Sequence, residues 1–374
     1  MTTCVIATAA NDIHALVVAC ALEKIGVRCF RWVTSDFPVA QRIGISLGRS
    51  NRVVFHSADS EFELDLAAQD LVFWNRRVVT EHRVGDWLCE SDRKVASREA
   101  RAFAQGLVCL IDSVSFSVNR NEAARRAESK PLQLLTAKNS GWLTPDTLIG
   151  NDPSEITHFV KRSGVSLAKQ FSPTVWKGSN GDLVTRSAVV ASTMLPHDKI
   201  LGACPMIFQD YIDKAFEVRI TCFGERLVAV RLDSQKSEAS KVDWRAISPS
   251  RLGVSRIELP KNISSSCIDL LRSLGLTFGC IDVIVTPNGD WVFLEINQMG
   301  QFLWIEEVNP DIPMLDLFVQ LLLGSGSAPE LECLLGLRHA EFVGAAGAIL
   351  RAEQPLRVAK IATNVVFESA EDER

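Results

Sequence analysis

The first residues of the chain place short apolar runs on either side of a segment with helical spacing. CVIAT predicts a strand, and Asn11 or Asp12 can cap the helix that follows it. Gly26 ends this helix, and VRCFRWV predicts the next strand. A strand, a helix and a strand in this order indicate an α/β unit.

The remainder of the first third continues this pattern. RIGISLG, NRVVFHS and DLVFWNRR predict three more strands, and residues 86–105 have helical spacing. No G-x-G-x-x-G follows the first strand, which excludes the dinucleotide-binding fingerprint. The character of the sequence changes near residue 113, where we place the first domain boundary.

The middle of the chain contains two hairpin patterns among several helices. NRNEAARRAESKPLQLLTAKNSG predicts two short helices with a break at Ser129 and Pro131. The other predicted elements are a helix at 153–163, strands VSLAKQF, LVTRSAVVA and MIFQDYI, hairpins FEVRITCFGERLVAVRLD and CIDVIVTPNGDWVFLEIN, and helices ISSSCIDLLRSLG and DIPMLDLFVQLLLG. After residue 324, we expect helical spacing around Leu331–Leu337, a strand at VAKIATNVVF and a frayed acidic tail.

The second hairpin concentrates polar residues on one face. If its turn is centred between Asn288 and Gly289, Asp282 lies directly opposite Glu295, and Asn297 shares their face. Apolar residues alternate with this polar set. Opposed carboxylates destabilise a sheet, and a cation would offset that cost. Oxygen ligands without His or Cys suit magnesium; the alternative is a solvated polar face.

Composition narrows the function classes. The formal net charge of −5 argues against a basic nucleic-acid-binding protein. The ten cysteines contain no C-x-x-C pair, which disfavours zinc sites and fits a reducing cytoplasm. The chain has no signal-peptide pattern at its start and no apolar run long enough to span a membrane. We therefore expect a cytoplasmic protein with neither a nucleic-acid nor a membrane partner.

The D…E-x-N pattern resembles the metal-binding signature of the ATP-grasp superfamily. Lys130, Lys169, the FQDYI connector and the EVRITCFGE hairpin follow the order used there. FWNRR, KPLQLLTAKNSGWLTPDT, VDWR and LEINQMGQFLWIE further resemble the microviridin-type graspetide ligases, which macrocyclise ribosomal precursor peptides. The likeness to the ATP-grasp superfamily covers about residues 113–324, with a compatible α/β domain before it.

The resemblance implies an α/β protein with the ATP-grasp fold, in which two α+β subdomains clasp ATP. The division we expect is a pre-ATP-grasp α/β domain at 1–112, linker helices with the first subdomain at 113–205, the second subdomain with the metal-binding hairpin at 206–324, and a C-terminal extension at 325–374.

The same resemblance implies roles for individual residues. Arg219 would bind the γ-phosphate and the acyl-phosphate, and Asp243 and Arg245 would lie beside the reacting acyl group. ATP would contact Lys130, Lys169, Gln209, Asp210, Tyr211, Ile212 and Glu217, while Asp282, Glu295 and Asn297 would hold magnesium, with two ions expected. WKGSNGD would cover the triphosphate or form an ordinary turn. Arg76 and Arg77 would meet an acidic peptide or a domain interface.

The reaction implied is the activation of an Asp or Glu side chain of a precursor peptide as an acyl-phosphate. A Ser/Thr hydroxyl or a Lys amine would then close an ester or amide ring, and the peptide would carry a leader segment. The alternatives are an ATP-grasp ligase for free amino acids or small peptides and a non-catalytic nucleotide-binding module. The sequence leaves the oligomeric state open, with a homodimer as one option.

Overall fold

The structure is a computed structural model that describes residues 2–57, 60–79, 81–171, 175–178, 181–184, 187–237, 240–324 and 334–353. At 175–178 and 181–184 it describes the backbone alone. Within these ranges, every helix is too short or too polar to cross a membrane.

The N-terminal part contains a parallel sheet and a smaller antiparallel one. Its elements are β1 Thr3–Thr8, α1 Ile13–Lys24, β2 Arg28–Val33, β3 Arg42–Ser46, β4 Arg52–His56, β5 Glu61–Asp65, β6 Leu71–Asn75, α2 Glu90–Val114 and β7 Phe116–Val118. The parallel sheet has the order β2-β1-β6-β7, and β3, β4 and β5 form the other. Asp12 caps α1, accepting the backbone N–H groups of His14 and Ala15 at 3.1 and 3.3 Å.

Two expectations for this part were inaccurate. Strand β5 was not predicted, and the expected helix at 86–105 instead runs over α2. The helix continues past Gly106 because Leu107, Val108 and Ile111 are buried in the core, and their burial outweighs the weak helix propensity of glycine.

The next part carries a four-stranded antiparallel sheet. Its elements are α3 Asn121–Ala127, α4 Lys130–Asn139, β8 Thr147–Gly150, α5 Pro153–Ser163, β9 Val165–Lys169, β10 Val175–Gly178, β11 Gly181–Val184, β12 Ala188–Ala191, α6 Asp198–Leu201 and β13 Met206–Asp210. The sheet order is β12-β9-β13-β8. The strand expected at LVTRSAVVA is divided between β11, which pairs with β10, and β12, which pairs with β9.

The third part is built on a five-stranded antiparallel sheet. Its elements are β14 Phe216–Phe223, β15 Arg226–Leu232, β16 Val254–Ile257, α7 Lys261–Leu274, β17 Phe278–Val285, β18 Trp291–Asn297, α8 Leu303–Val308, α9 Met314–Leu323 and α10 His339–Glu353. The order is β16-β15-β14-β17-β18, so that β18 is an edge strand.

The five-stranded sheet is covered on both faces. One face packs on α7 and on alanines of α3 and α4. The other shares a single hydrophobic core with β1, β6, α1 and α9, in which the Trp74 and Phe318 rings lie 4.6 Å apart. Burying a side chain of this size contributes about 1.5–3 kcal/mol. This common core fixes the N-terminal sheet against the sheet that carries the polar hairpin.

The helical spacing expected around Leu331–Leu337 does not produce a helix over residues 334–338. The carboxylate of Asp316 instead accepts the backbone N–H groups of Leu335 and Leu337 at 3.2 and 3.0 Å, which holds the connection to α10 in place. Residues 325–333, the strand expected at VAKIATNVVF and the ESAEDER tail lie outside the described residues.

Candidate functional site

The predicted pairing of Asp282 with Glu295 is present in the β17–β18 hairpin. The premise behind it was inaccurate, because the turn is a three-residue loop, with Gly289 at φ +88° and Thr286 donating to the carbonyl of Asp290 at 3.0 Å. Val285 therefore faces Trp291, one position out of the expected register. A β-bulge after Asp282 restores that register and brings the two carboxylates opposite each other.

Three cations from separate elements converge on these carboxylates. Arg219 on β14 donates through Nη1 to Asp282 at 2.7 Å. Arg245 donates through Nη2 to Asp282 at 2.6 Å and to Glu295 at 3.0 Å, and Lys130 at the start of α4 pairs with Glu295. Asp282 is only 5% exposed, so its charge depends on these partners.

The site is strongly coupled electrostatically. Burial acts to raise the pKa of Glu295, but Lys130 and Arg245 outweigh it and hold that pKa far below its usual range. Burial lowers the pKa of Lys169 on β9, and the charges of Glu295 and Asp243 oppose this shift. The charge of Glu295 on the five-stranded sheet therefore acts on Lys169 of the four-stranded sheet.

Asn297 lies opposite Cys280 at the end of β18 and is exposed. Its Oδ1 accepts the N–H of Met299 at 3.0 Å, which forms a turn after the strand. The carbonyl of Gln301 beyond this turn accepts from Arg219 Nη2 at 3.3 Å. The strand end is thereby linked back to the arginine that binds Asp282.

The donor set suits a hard divalent cation. Among the residues that the structure describes, no group of three or more His, Cys, Asp or Glu side chains could hold a metal. The hairpin instead offers two carboxylates and one amide, all oxygen donors of the kind that magnesium accepts. Arg219, Arg245 and Lys130 already compensate the charges of Asp282 and Glu295. The same three cations can also bind phosphate oxygens.

The connector after β13 holds the residues expected at the adenine. Gln209 is 3% exposed and donates to Thr147 Oγ1 at 3.0 Å, and Asp210 Oδ1 accepts from Ser163 Oγ. The N–H groups of Asp210 and Tyr211 are already bonded, to the carbonyls of Asp146 and Val165. If the backbone of this connector contacts the adenine, the contact must therefore come from the carbonyl groups of Asp210 and Tyr211 or from the backbone of Ile212.

Glu217 forms a buried ion pair that was not predicted. Lys214 Nζ donates to its carboxylate at 2.7 Å and to the carbonyl of Val242 at 3.1 Å. Burial raises the pKa of Glu217, and Lys214 counteracts that rise. Their spacing of three residues in the sequence was the available signal. In the same hairpin, Arg231 faces Val218, because Gly224 and Glu225 form a two-residue loop.

The two motifs typical of the graspetide resemblance contact each other. Trp244 of VDWR is buried and lies 5.1 Å, ring to ring, from Trp304 of the LEINQMGQFLWIE segment. Asp243 caps the short turn by accepting the N–H of Arg245 at 3.1 Å. The packed tryptophan rings thus anchor the loop that directs Arg245 at the carboxylates.

Arg76 belongs to an interface within the protein. It is 1% exposed, donates through Nε to Asp12 at 3.1 Å and through Nη1 to the carbonyl of Gly300 at 3.4 Å. Arg77 lies 3.5 Å from Asp12 and is about one-quarter exposed. Of the two hypotheses for this pair, the geometry supports the interface for Arg76.

The WKGSNGD segment forms the β10–β11 hairpin, in which Gly178 faces Gly181. Residues 179 and 180 lie outside the described residues. A role in covering the triphosphate stays a prediction.

No protein-family model and no curated protein matches the sequence. Solved structures do. A RiPP-associated ATP-grasp ligase of Chryseobacterium gregarium, in complex with ADP and a leader and core peptide, is 27% identical, with 88% of this chain and 98% of that one covered and a TM-score of 0.78.

Two macrocyclases of Microcystis aeruginosa MRC are also similar. MdnC, bound with the precursor peptide MdnA, is 27% identical, with 86% of this chain and 99% of that one covered and a TM-score of 0.72. MdnB is 23% identical, with 87% and 100% covered and a TM-score of 0.70, and supports the fold. The expected fold and resemblance are thus confirmed: the chain has the ATP-grasp fold and is similar over most of its length to RiPP-associated ATP-grasp ligases of the graspetide type.

Proposed function

We propose that the protein uses ATP to activate a side-chain carboxylate of a ribosomal precursor peptide and cyclises the peptide onto a hydroxyl or an amine. The observation that carries this proposal is the opposed pair Asp282 and Glu295 with Arg219, Arg245 and Lys130 around it. The peptide substrate is supported by the leader, core and precursor peptides bound to the similar proteins.

Each residue has a distinct part in this reaction. Lys130 and Lys169 would bind phosphate oxygens, while Gln209, Asp210, Tyr211 and Ile212 would line the adenine and Glu217 would bind ribose. Asp282, Glu295 and Asn297 would hold magnesium, two ions in our proposal, which when bound neutralises phosphate charge.

The chemistry requires two transfers. A peptide carboxylate attacks the γ-phosphate of ATP, which breaks the bond to ADP and forms an acyl-phosphate. The fork of Arg219 suits the transferred phosphoryl group, and Arg245, beside Asp243, would orient the acyl group. The hydroxyl or amine then attacks the acyl carbon, loses its proton and expels phosphate.

The domain division proposed here is 1–112, 113–205, 206–324 and 325–374. The separate four- and five-stranded sheets support the boundary near 205. Strand β7 pairs with β6 of the first sheet, so the chain contacts that sheet once more after the boundary proposed near residue 113. We also propose a cytoplasmic location, supported by the absence of disulfides among the nine cysteines of the described ranges, and a homodimer, which light scattering would test.

The decisive experiment incubates purified protein with Mg-ATP and the precursor peptide encoded beside its gene. We expect products lighter by one water per ring, together with ADP. Glu295→Gln should abolish ADP release, because it removes a charge that compensates Lys130 and Arg245. An intact peptide mass after incubation with the active protein and the full leader would refute the proposal.

A ligase for free amino acids is the second candidate, and a panel of amino acids assayed for phosphate release separates the two. Nucleotide binding without any turnover would instead favour a non-catalytic module. The intact carboxylate and arginine set argues for turnover.

A further inference from the structure

The strand that carries two of the proposed magnesium ligands lies at the edge of its sheet. Strand β18 pairs with β17 on one side only. Along its outer side, the N–H of Phe293 donates to the carbonyl of Leu143 at 2.8 Å. Edge strands otherwise leave backbone groups without strand partners, and these must be met by side chains or water.

Gln133 takes the place of a neighbouring strand at Ile296. Its Oε1 accepts the N–H of Ile296 at 3.1 Å, and its Nε2 donates to the carbonyl of Ile296 at 2.9 Å. The same Nε2 also donates to the carbonyl of Ala127. Gln133 is 2% exposed, so its amide orientation is set by these three backbone groups rather than by water.

Ile296 separates Glu295 from Asn297. Its backbone N–H belongs to the peptide unit that follows Glu295, and its carbonyl belongs to the unit that precedes Asn297. Holding both groups fixes the direction in which the two flanking side chains leave the strand. Gln133 also shares α4 with Lys130, one helical turn earlier, which contacts Glu295 directly.

We propose that Gln133 is a positioning residue that sets Glu295 and Asn297 for magnesium by holding the backbone between them. The proposal rests on the proposed Mg-ATP function. Gln133 touches neither nucleotide nor peptide in this role. Its amide instead couples α4, with its phosphate-binding lysine, to the ligand strand.

The test compares wild-type protein with Gln133→Met, which preserves side-chain length and removes all three side-chain hydrogen bonds. ADP affinity is measured by calorimetry with and without Mg²⁺. We expect the Mg²⁺-dependent gain in affinity to fall at least about tenfold, since a misplaced ligand strand loses roughly one charged interaction. Affinity for Mg²⁺-free ADP should stay within about twofold of wild type, because Lys130 and Lys169 remain.

Gln41→Met is the matched control. Gln41 is 5% exposed and donates to Ser57 within the N-terminal part, away from the β17–β18 hairpin. This variant should retain the full Mg²⁺-dependent gain. If Gln133→Met does not fold, Gln133→Glu replaces it; this variant keeps the size and the acceptor but not the donor, and the same loss is expected.

The proposal would be overturned if a folded Gln133 variant kept the wild-type Mg²⁺-dependent gain in ADP affinity. It would also be overturned if the ADP affinity of the wild-type protein did not change with Mg²⁺. A loss of Mg²⁺-free affinity as large as the loss with Mg²⁺ would also overturn it, because that pattern indicates general damage. Failure of the precursor assay in wild-type protein refutes the proposed function while leaving this binding comparison readable.

Discussion

Replacing Arg76 with methionine should destabilise the protein strongly, because Arg76 is one half of a buried ion pair. Arg76 and Asp12 are 1% and 2% exposed and form an ion pair at 3.1 Å. Removing one partner of such a pair leaves a buried charge and typically costs about 3–5 kcal/mol. Asp12 keeps its two backbone N–H bonds at the start of α1, so we expect about 3 kcal/mol.

The charge origin of this loss makes it depend on pH. Burial acts to raise the pKa of Asp12, but Arg76, Arg77 and the neighbouring groups outweigh it and hold that pKa below its usual value. In wild-type protein, this pair therefore stabilises the fold above about pH 4 and ceases to do so as the pH falls through the depressed folded value. In Arg76→Met, burial dominates and the Asp12 carboxyl protonates more readily.

The assay is urea denaturation at pH 7 and pH 4.5, followed by circular dichroism. The difference in unfolding free energy between wild type and Arg76→Met should be about 3 kcal/mol at pH 7 and smaller at pH 4.5. Arg77→Met is the control: its side chain is 27% exposed and 3.5 Å from Asp12, so the loss should be under about 1 kcal/mol. An Arg76→Met loss that is equal at both pH values would refute the charge argument.

Three further predictions follow from other contacts. Lys214→Met should weaken ATP binding at least about tenfold in calorimetry, because it leaves the buried carboxylate of Glu217 uncompensated. Burial lowers the pKa of His14 to about 3, so the folded protein loses stability relative to the unfolded chain as the pH falls below about 6.5. His14→Phe should remove this loss, which denaturation at pH 7 and pH 5 would measure. Gly300→Ala would place a Cβ 2.2 Å from Cys280 Sγ. It should lower the free energy of unfolding, measured by thermal denaturation, by about 1–3 kcal/mol.

Most elements could be predicted from the sequence because their signals are local. The α5 helix has Asp152 and Pro153 at its start, and its predicted and observed bounds agree. Strand β5 was not predicted: Phe62 and Leu64 alternate with charged residues, but glutamate and aspartate are uncommon in strands. The start of α2 was also misplaced, since Asp86, four residues before the helix, resembles an acidic residue of a first turn.

The site was predictable where it depends on one hairpin. Counting along the sequence paired Asp282 with Glu295, although a three-residue loop and a bulge were needed to produce the register that a simpler turn would give. The loop and the bulge each shift the pairing by one residue, in opposite directions. Their combined effect cannot be distinguished from a regular hairpin by apolar alternation alone.

The supporting contacts could not be predicted, because each joins residues far apart in the sequence. Gln133 meets Ile296 across 163 residues, and Arg76 meets Gly300 across 224. Neither residue has a local pattern that distinguishes it from a surface side chain. Gln133 binds the backbone of Ile296 before Asn297, and Arg76 binds the carbonyl of Gly300 after it. The carboxylates thus define the chemistry, while residues from α4 and the N-terminal sheet determine where the ligand strand lies, and we expect substitutions there to alter metal dependence before they alter peptide recognition.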